Sequence, residues 1–97
     1  MHENRVFPPS AEFSSQAEIG SMAAYRELYE RSTRDIEAFW AAEAKAHLHW
    51  FKPFTKTLRW QEPFAEWFYD GTTNASYNCL DAHIEAGNGE KVALLFE

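Results

Sequence analysis

The chain has 97 residues, too few for more than one domain, and fifteen acidic against nine basic side chains give it a formal net charge of −6. That balance, with no basic run, argues against a partner with a phosphate backbone. A single cysteine excludes an internal disulfide, and no stretch approaches the roughly 20 apolar residues of a membrane span.

A cytoplasmic protein with neither nucleic-acid nor membrane partner is therefore expected. Eight Phe, four Trp and four Tyr are an unusual load for a chain of this size. Such rings supply large buried areas but need partners to bury against.

Residues 1–14 read as irregular, since Pro8-Pro9 blocks a helix. Ser15 with Glu18 fits a capping box, and Gly20 interrupts whatever follows. An arm over 1–20 with a short helix is the expectation, leading into a domain over 21–97. Ser21 caps a helix that places Met22, Tyr25, Leu28 and Tyr29 on one face. A break is expected over Ser32 to Asp35. Ile36, Phe39, Trp40 and Ala44 then recur at helical spacing up to about His47.

Pro53 closes the helical part. From Phe54 to Trp60 the pattern alternates, which predicts a half-buried strand ended by Glu62-Pro63. Ala65 to Tyr69 is a second short apolar segment, ended by the turn signal Asp70-Gly71. Asn74 or Ser76 opens a helix with Tyr77, Leu80 and Ile84 on one face. Gly87 stops it, and Asn88-Gly89 makes a turn. Val92 to Phe96 is a continuous apolar run, the pattern of a strand buried on both faces of a parallel sheet. Nothing else in the chain can cover both of those faces. The fold class expected is thus α+β: a mainly helical N-terminal region with short strands, ending in one helix and one buried strand that joins a larger α/β domain. Left uncovered, residues 92–96 invite self-association.

Four groups of side chains carry candidate chemistry. Cys79 and His83 are i and i+4 on the last helix, with Asp81 pointing elsewhere. A thiol and an imidazole give two ligands where a structural zinc site needs four. The bland reading is a packed thiol, with Asp81 and His83 in capping or interdomain hydrogen bonds. His47 and His49 are spaced i, i+2, poor for chelation from a helix, and suit a solvated helix end. Trp50, Phe51, Phe54, Trp60, Phe64, Trp67, Phe68 and Tyr69 could stack sugars, but such density more often packs. Glu27, Glu30, Glu37 and Glu43 fit a solvated helix face. No glycine pattern for a phosphate loop occurs among the four glycines. No catalytic, cofactor-binding or metal residue is expected in this chain.

The motifs Phe39-Trp40, Trp50-Phe51-Lys52-Pro53-Phe54, Trp67-Phe68 with Gly71 and Asn74, and Tyr77-Asn78-Cys79-Leu80-Asp81 with His83 occur in that order. Together they make the chain, from about Tyr25 onward, resemble the N-terminal segment of AMP-forming acetyl-CoA synthetases, of the adenylate-forming superfamily. Ala82 departs from the pattern, which usually has Arg there. Propionyl-CoA synthetases share the plan, although "WFKPFTK" looks more like the acetyl enzymes.

The resemblance implies a longer parent enzyme that uses acetate, Mg-ATP and CoA, and makes acetyl-CoA, AMP and pyrophosphate through acetyl-adenylate. The family's phosphate loop and catalytic lysine lie beyond the matched region. The partner it implies is the remainder of the synthetase chain, and this piece alone is expected to be inactive. The competing expectation is a stand-alone aromatic-rich module that binds sugar or peptide.

Overall fold

The computed structural model describes residues 3–97. It divides into two compact units, one reaching to Ile36 and the other Glu37–Glu97. Helices and one antiparallel strand pair make it an α+β chain.

In the first unit, α1 (Ala11–Gln16) starts earlier than the sequence suggests. Its N-cap is Ser10, whose Oγ accepts from the Phe13 amide, not Ser15. Ser15 instead donates to the Glu12 carbonyl from inside the helix. Pro8-Pro9 sets the chain up for this start, because proline is tolerated just before a helix but not within it. The segment expected to be irregular through residue 14 is thus helical from Ala11. α2 (Met22–Arg34) begins as expected, with Ser21 Oγ accepting from the Ala24 amide. It runs through Ser32 and Thr33, whose hydroxyls fold back onto the Tyr29 carbonyl and do not break the helix. The break narrows to Asp35, where φ is −143°.

α3 (Ile36–His47) carries the buried Ala44. Beyond it, β1 (Leu58–Gln61) and β2 (Phe64–Trp67) form an antiparallel hairpin with Leu58 opposite Trp67 and Trp60 opposite Ala65. The strand expected from Phe54 starts four residues later. Phe54 is buried, and the amides of Thr55 and Lys56 are taken by the Asp70 carboxylate, so neither is free to pair in a ladder. β2 stops at Trp67 because Phe68 turns into the left-handed region, with φ +50°.

The last helical stretch is wound wide, with π turns over Tyr77–Asp81 and Ile84–Asn88. Asn74 caps it, its Oδ1 accepting from the Tyr77 amide. Gly87, at φ +86°, closes it as the sequence suggests. The buried strand expected at 92–96 is not formed. Residues 92–97 carry no regular structure, and Leu94, Leu95 and Phe96 are about nine-tenths exposed or more. A strand needs a neighbour to pair with, and the hairpin offers it none.

Among the described residues, Ala44 and Phe54 are the buried hydrophobic core. A core that small, beneath so many exposed rings, cannot account for the aromatic content by internal packing alone.

Candidate functional site

The centre of the second unit is a pair of loops locked together. One holds residues 49–57, between α3 and β1. The other holds residues 68–78, running from the end of β2 into the first turn of the last helical stretch. The amides of Phe51 and Lys52 both donate to the Thr72 carbonyl, at 2.9 and 3.1 Å, and the Thr72 amide returns one to Lys52 at 2.9 Å. Each loop thereby satisfies backbone groups that neither could satisfy alone.

Short polar side chains complete the lock. Asp70 accepts from the Thr55 and Lys56 amides at 2.9 Å each, and from the Thr55 hydroxyl. Those donors, the Thr55 hydroxyl foremost, hold its carboxyl down at a pKa of about 2. Asn78 accepts from the His49 amide at 2.7 Å through Oδ1. Its Nδ2 donates to the Thr73 hydroxyl and the Asn74 carbonyl, each at 2.8 Å. The Thr73 hydroxyl in turn donates to the His49 carbonyl at 2.6 Å.

Rings fill the space between the loops. Trp50 meets Phe54 and Phe68 with centroids 4.9 and 5.7 Å apart, and Phe54 meets Phe68 at 4.7 Å. The indole N–H of Trp50 donates to the Ala44 carbonyl at 2.9 Å, which ties the cluster to the end of α3. His49, Phe51 and Tyr77 form a second group, with centroids 4.7–5.1 Å apart. Gly71 is required beside the first group. A Cβ there would lie 2.8 Å from the Trp50 ring and 2.9 Å from Phe54 Cβ. The aromatic series therefore divides. Trp50, Phe54 and Phe68 pack on each other, while Trp60, Phe64 and Phe51 are more than half exposed.

Cys79 and His83 fall together on one side of the last helical stretch. With Leu80, Ile84 and Val92 they line an open cleft of about 490 Å³, which Asp81 does not line. Cys79 is exposed, so within this chain it is not the packed thiol expected from sequence. Its neighbours Leu80 and Ile84 are each 63% exposed and Val92 66%, so the cleft carries exposed apolar side chains beside its thiol and imidazole, with Asn88 and Lys91 also on its wall. Tyr77 donates its hydroxyl to Glu85 Oε2 at 2.6 Å. That bond first, then burial and the charges of Glu85 and Asp81, raise its pKa above the ordinary value.

His47 pairs with Glu43 at 3.2 Å at the exposed end of α3, and His49 is stacked among rings, so the structure does not bring the two together as a chelate. Among the described residues no three His, Cys, Asp or Glu side chains converge as a metal site would need. No helix of the described residues is long and apolar enough to cross a membrane. Sequence reasoning missed Asp70 and Asn78 as organisers. Asp70 was legible as part of a turn, but its reach to residues fifteen positions earlier has no local signature.

The segment that carries this lock is the one shared with known proteins. Residues 25–79 match the family described as acetyl-coenzyme A synthetase N-terminus. Over 98 aligned positions covering the whole chain, it is 55% identical to the acetyl-coenzyme A synthetase of Cupriavidus taiwanensis and 54% identical to that of Cupriavidus necator. It is 53% identical to the acetyl-coenzyme A synthetase of Burkholderia lata. The chain spans 15% of the length of each of these relatives. Both the interlocked loops and the exposed helix that follows them fall within the aligned positions, and the chain belongs to the acetyl-coenzyme A synthetase N-terminus family.

Proposed function

We propose that this chain is the N-terminal structural domain of an AMP-forming acetate–CoA ligase, with residues 21–97 as the domain and 1–20 as an arm. The full-length enzyme converts acetate, ATP and CoA to acetyl-CoA, AMP and pyrophosphate through acetyl-adenylate, with Mg as counter-ion to the ATP phosphates. The compartment is the cytoplasm. This domain contributes no catalytic, cofactor-binding or metal residue. Its partner is the remainder of the synthetase chain.

One observation carries the reading. Polar side chains within the segment matched to the family are engaged in holding backbone. Asp70 accepts two amides and a hydroxyl, Asn78 bridges both loops, and Asn74 caps the last helical stretch. A carboxylate held at a pKa of about 2 by donors is a poor proton acceptor at neutral pH. Meanwhile Trp60, Phe64, Leu80 and Ile84, outside the ring cluster, are each more than half exposed. That combination, polar groups committed to fixing the loops and apolar groups left exposed outside them, suits a scaffold that packs against more protein. A stand-alone sugar-binding module is less favoured, because Trp50, Phe54 and Phe68 spend their faces on each other.

The test is acetate- and CoA-dependent AMP release. The 97-residue chain is expected to give none above a protein-free blank, and the full-length protein to give stoichiometric acetyl-CoA. AMP release by the short chain would remove the structural reading.

A further inference from the structure

The hairpin has two unlike faces. Side chains of residues directly opposite across an antiparallel ladder share a face, and the faces alternate along each strand. Leu58, Trp60, Ala65 and Trp67 therefore lie on one face, and Arg59, Gln61, Phe64 and Glu66 on the other. The second face has polar contacts of its own. Arg59 pairs with Glu66 across the strands, and its guanidinium lies 4.5 Å from the centroid of the Tyr69 ring. The first face is wholly apolar. Trp67 reaches the ring cluster through Phe68, at 5.8 Å, but Trp60 beside it is 61% exposed. A two-stranded ribbon is marginal in water unless one face is covered.

We propose that the Leu58–Trp60–Ala65–Trp67 face is a second docking surface, covered by the part of the synthetase chain that lies outside these 97 residues. The inference rests on the reading of this chain as the N-terminal domain of a longer ligase. The aligned relatives supply the occupant, since this chain matches only 15% of each and the rest is protein available to cover the face. The polar contacts of Arg59, Glu66 and Tyr69 supply the direction, because they engage the second face while Trp60 on the first stays 61% exposed. The hairpin and the cleft beside Cys79 belong to the same unit. They would hold the domain to its parent at two places rather than one.

The experiment uses the full-length synthetase in a Cys79→Ser background, with any other reactive thiol in it replaced. One variant carries Trp60→Cys and the other Phe64→Cys, which samples the opposite face at a site 73% exposed. Each is treated with a soluble thiol reagent under native conditions. The thiol introduced at 60 is expected to react at least about ten-fold more slowly than the one at 64, because it is reached only through local opening. Should Trp60→Cys lower the yield of folded enzyme, Ala65→Cys on the same face gives the same comparison with a smaller change. Equal rates overturn the proposal. Protection that disappears on dilution also overturns it, because the cover is then a second copy. Acetyl-CoA formation is measured on the same samples. A protected thiol in a protein without that activity keeps the docking face and removes the ligase reading, so the two failures are distinguishable.

Discussion

The paired loops 49–57 and 68–78 and the tail 90–97 are both rich in apolar side chains, and they end in opposite conditions. In the loops, Phe54 is 6% exposed, Thr55 and Lys56 beside it hydrogen-bond to Asp70, and Trp50 packs on its ring. In the tail, Phe96 is 99% exposed and the backbone forms no regular structure. Apolarity does not separate them. The loops contain Asp70, Asn74 and Asn78, whose side chains satisfy backbone amides, and Thr73, whose hydroxyl satisfies the His49 carbonyl, groups that burial would otherwise strand. The tail has no such group, so its only route to burial is a strand partner. Order in this chain follows the supply of hydrogen-bond partners more closely than the density of apolar residues.

The strongest way to break the comparison is to remove the ring at its centre. Phe54→Ala is expected to destabilise the second unit by about 3–5 kcal/mol, the range for large-to-small changes at a well-packed aromatic. Urea unfolding followed by tryptophan fluorescence reads it, with a lower midpoint at unchanged slope. A shift under 1 kcal/mol would mean that the cluster is not the organising core.

Gly71→Ala tests the same place by adding volume. The new methyl would lie within 3 Å of Trp50 and Phe54, so one ring must move. Overpacking of this kind costs about 1–3 kcal/mol. Gly89→Ala is the control in the other region, where the nearest neighbour, Ile84 Cγ2, would sit at 3.7 Å. The same assay is expected to show Gly71→Ala clearly destabilised and Gly89→Ala close to wild type.

Asn78→Ala leaves the rings and removes the polar half of the lock. The His49 amide and the Thr73 hydroxyl both lose a partner. At about 1 kcal/mol per net hydrogen bond, a loss of about 1–2 kcal/mol is expected. Hydrogen exchange localises it: the His49 amide should lose protection while α2 does not change.

Much of this contrast was legible in the sequence, and the rest fails for identifiable reasons. The helix start at Ser21, the start at Asn74 as one of the two positions offered, the stop at Gly87 and the strand end at Glu62-Pro63 are local signals, carried by one to four adjacent residues. The family motifs were legible because their members are separated yet ordered. The late start of β1 was not, because it depends on Asp70 capturing the amides of Thr55 and Lys56 from across the fold. The strand at 92–96 was expected from its apolar run, but a run supplies only the side chains. The ladder partner has to come from elsewhere. Cys79 was expected to pack, and it lies on an exposed face that this chain alone does not cover.

Acid sharpens the comparison without a mutation. The folded pKa of Asp70, about 2, lies below its ordinary value of 3.8. The stability this carboxylate confers is therefore fully present above about pH 4, and is lost as pH falls through about 2. The amides of Thr55 and Lys56 are expected to lose exchange protection over that window. Asp70→Asn should abolish the pH-dependent part while lowering protection at neutral pH, since an amide oxygen is the weaker acceptor. The tail has no regular structure, and its exchange should follow the intrinsic chemistry of exposed amides throughout.

The smallest expected effect on stability is Phe96→Ser, the counterpart of Phe54→Ala. Phe96 is 99% exposed, so its removal takes no buried contact from the folded chain, and the midpoint is expected to stay within about 0.5 kcal/mol of wild type. The consequence appears in association instead. Val92, Leu94, Leu95 and Phe96 together present an unpaired apolar segment, and each such side chain gains roughly 1.5–3 kcal/mol on full burial. In the isolated chain that gain is available only through a second copy, by pairing backbone and covering side chains in one event. Sedimentation over a range of concentrations is expected to show reversible self-association of the wild-type chain, weakened by Phe96→Ser. In the full-length synthetase proposed above, the same substitution should lower the unfolding midpoint, the outcome expected of a segment that pairs there with the rest of the chain. A substitution silent in both settings would place the tail outside the packing altogether. The contrast between the two phenylalanines would then reduce to one ordered region and one that the enzyme does not use.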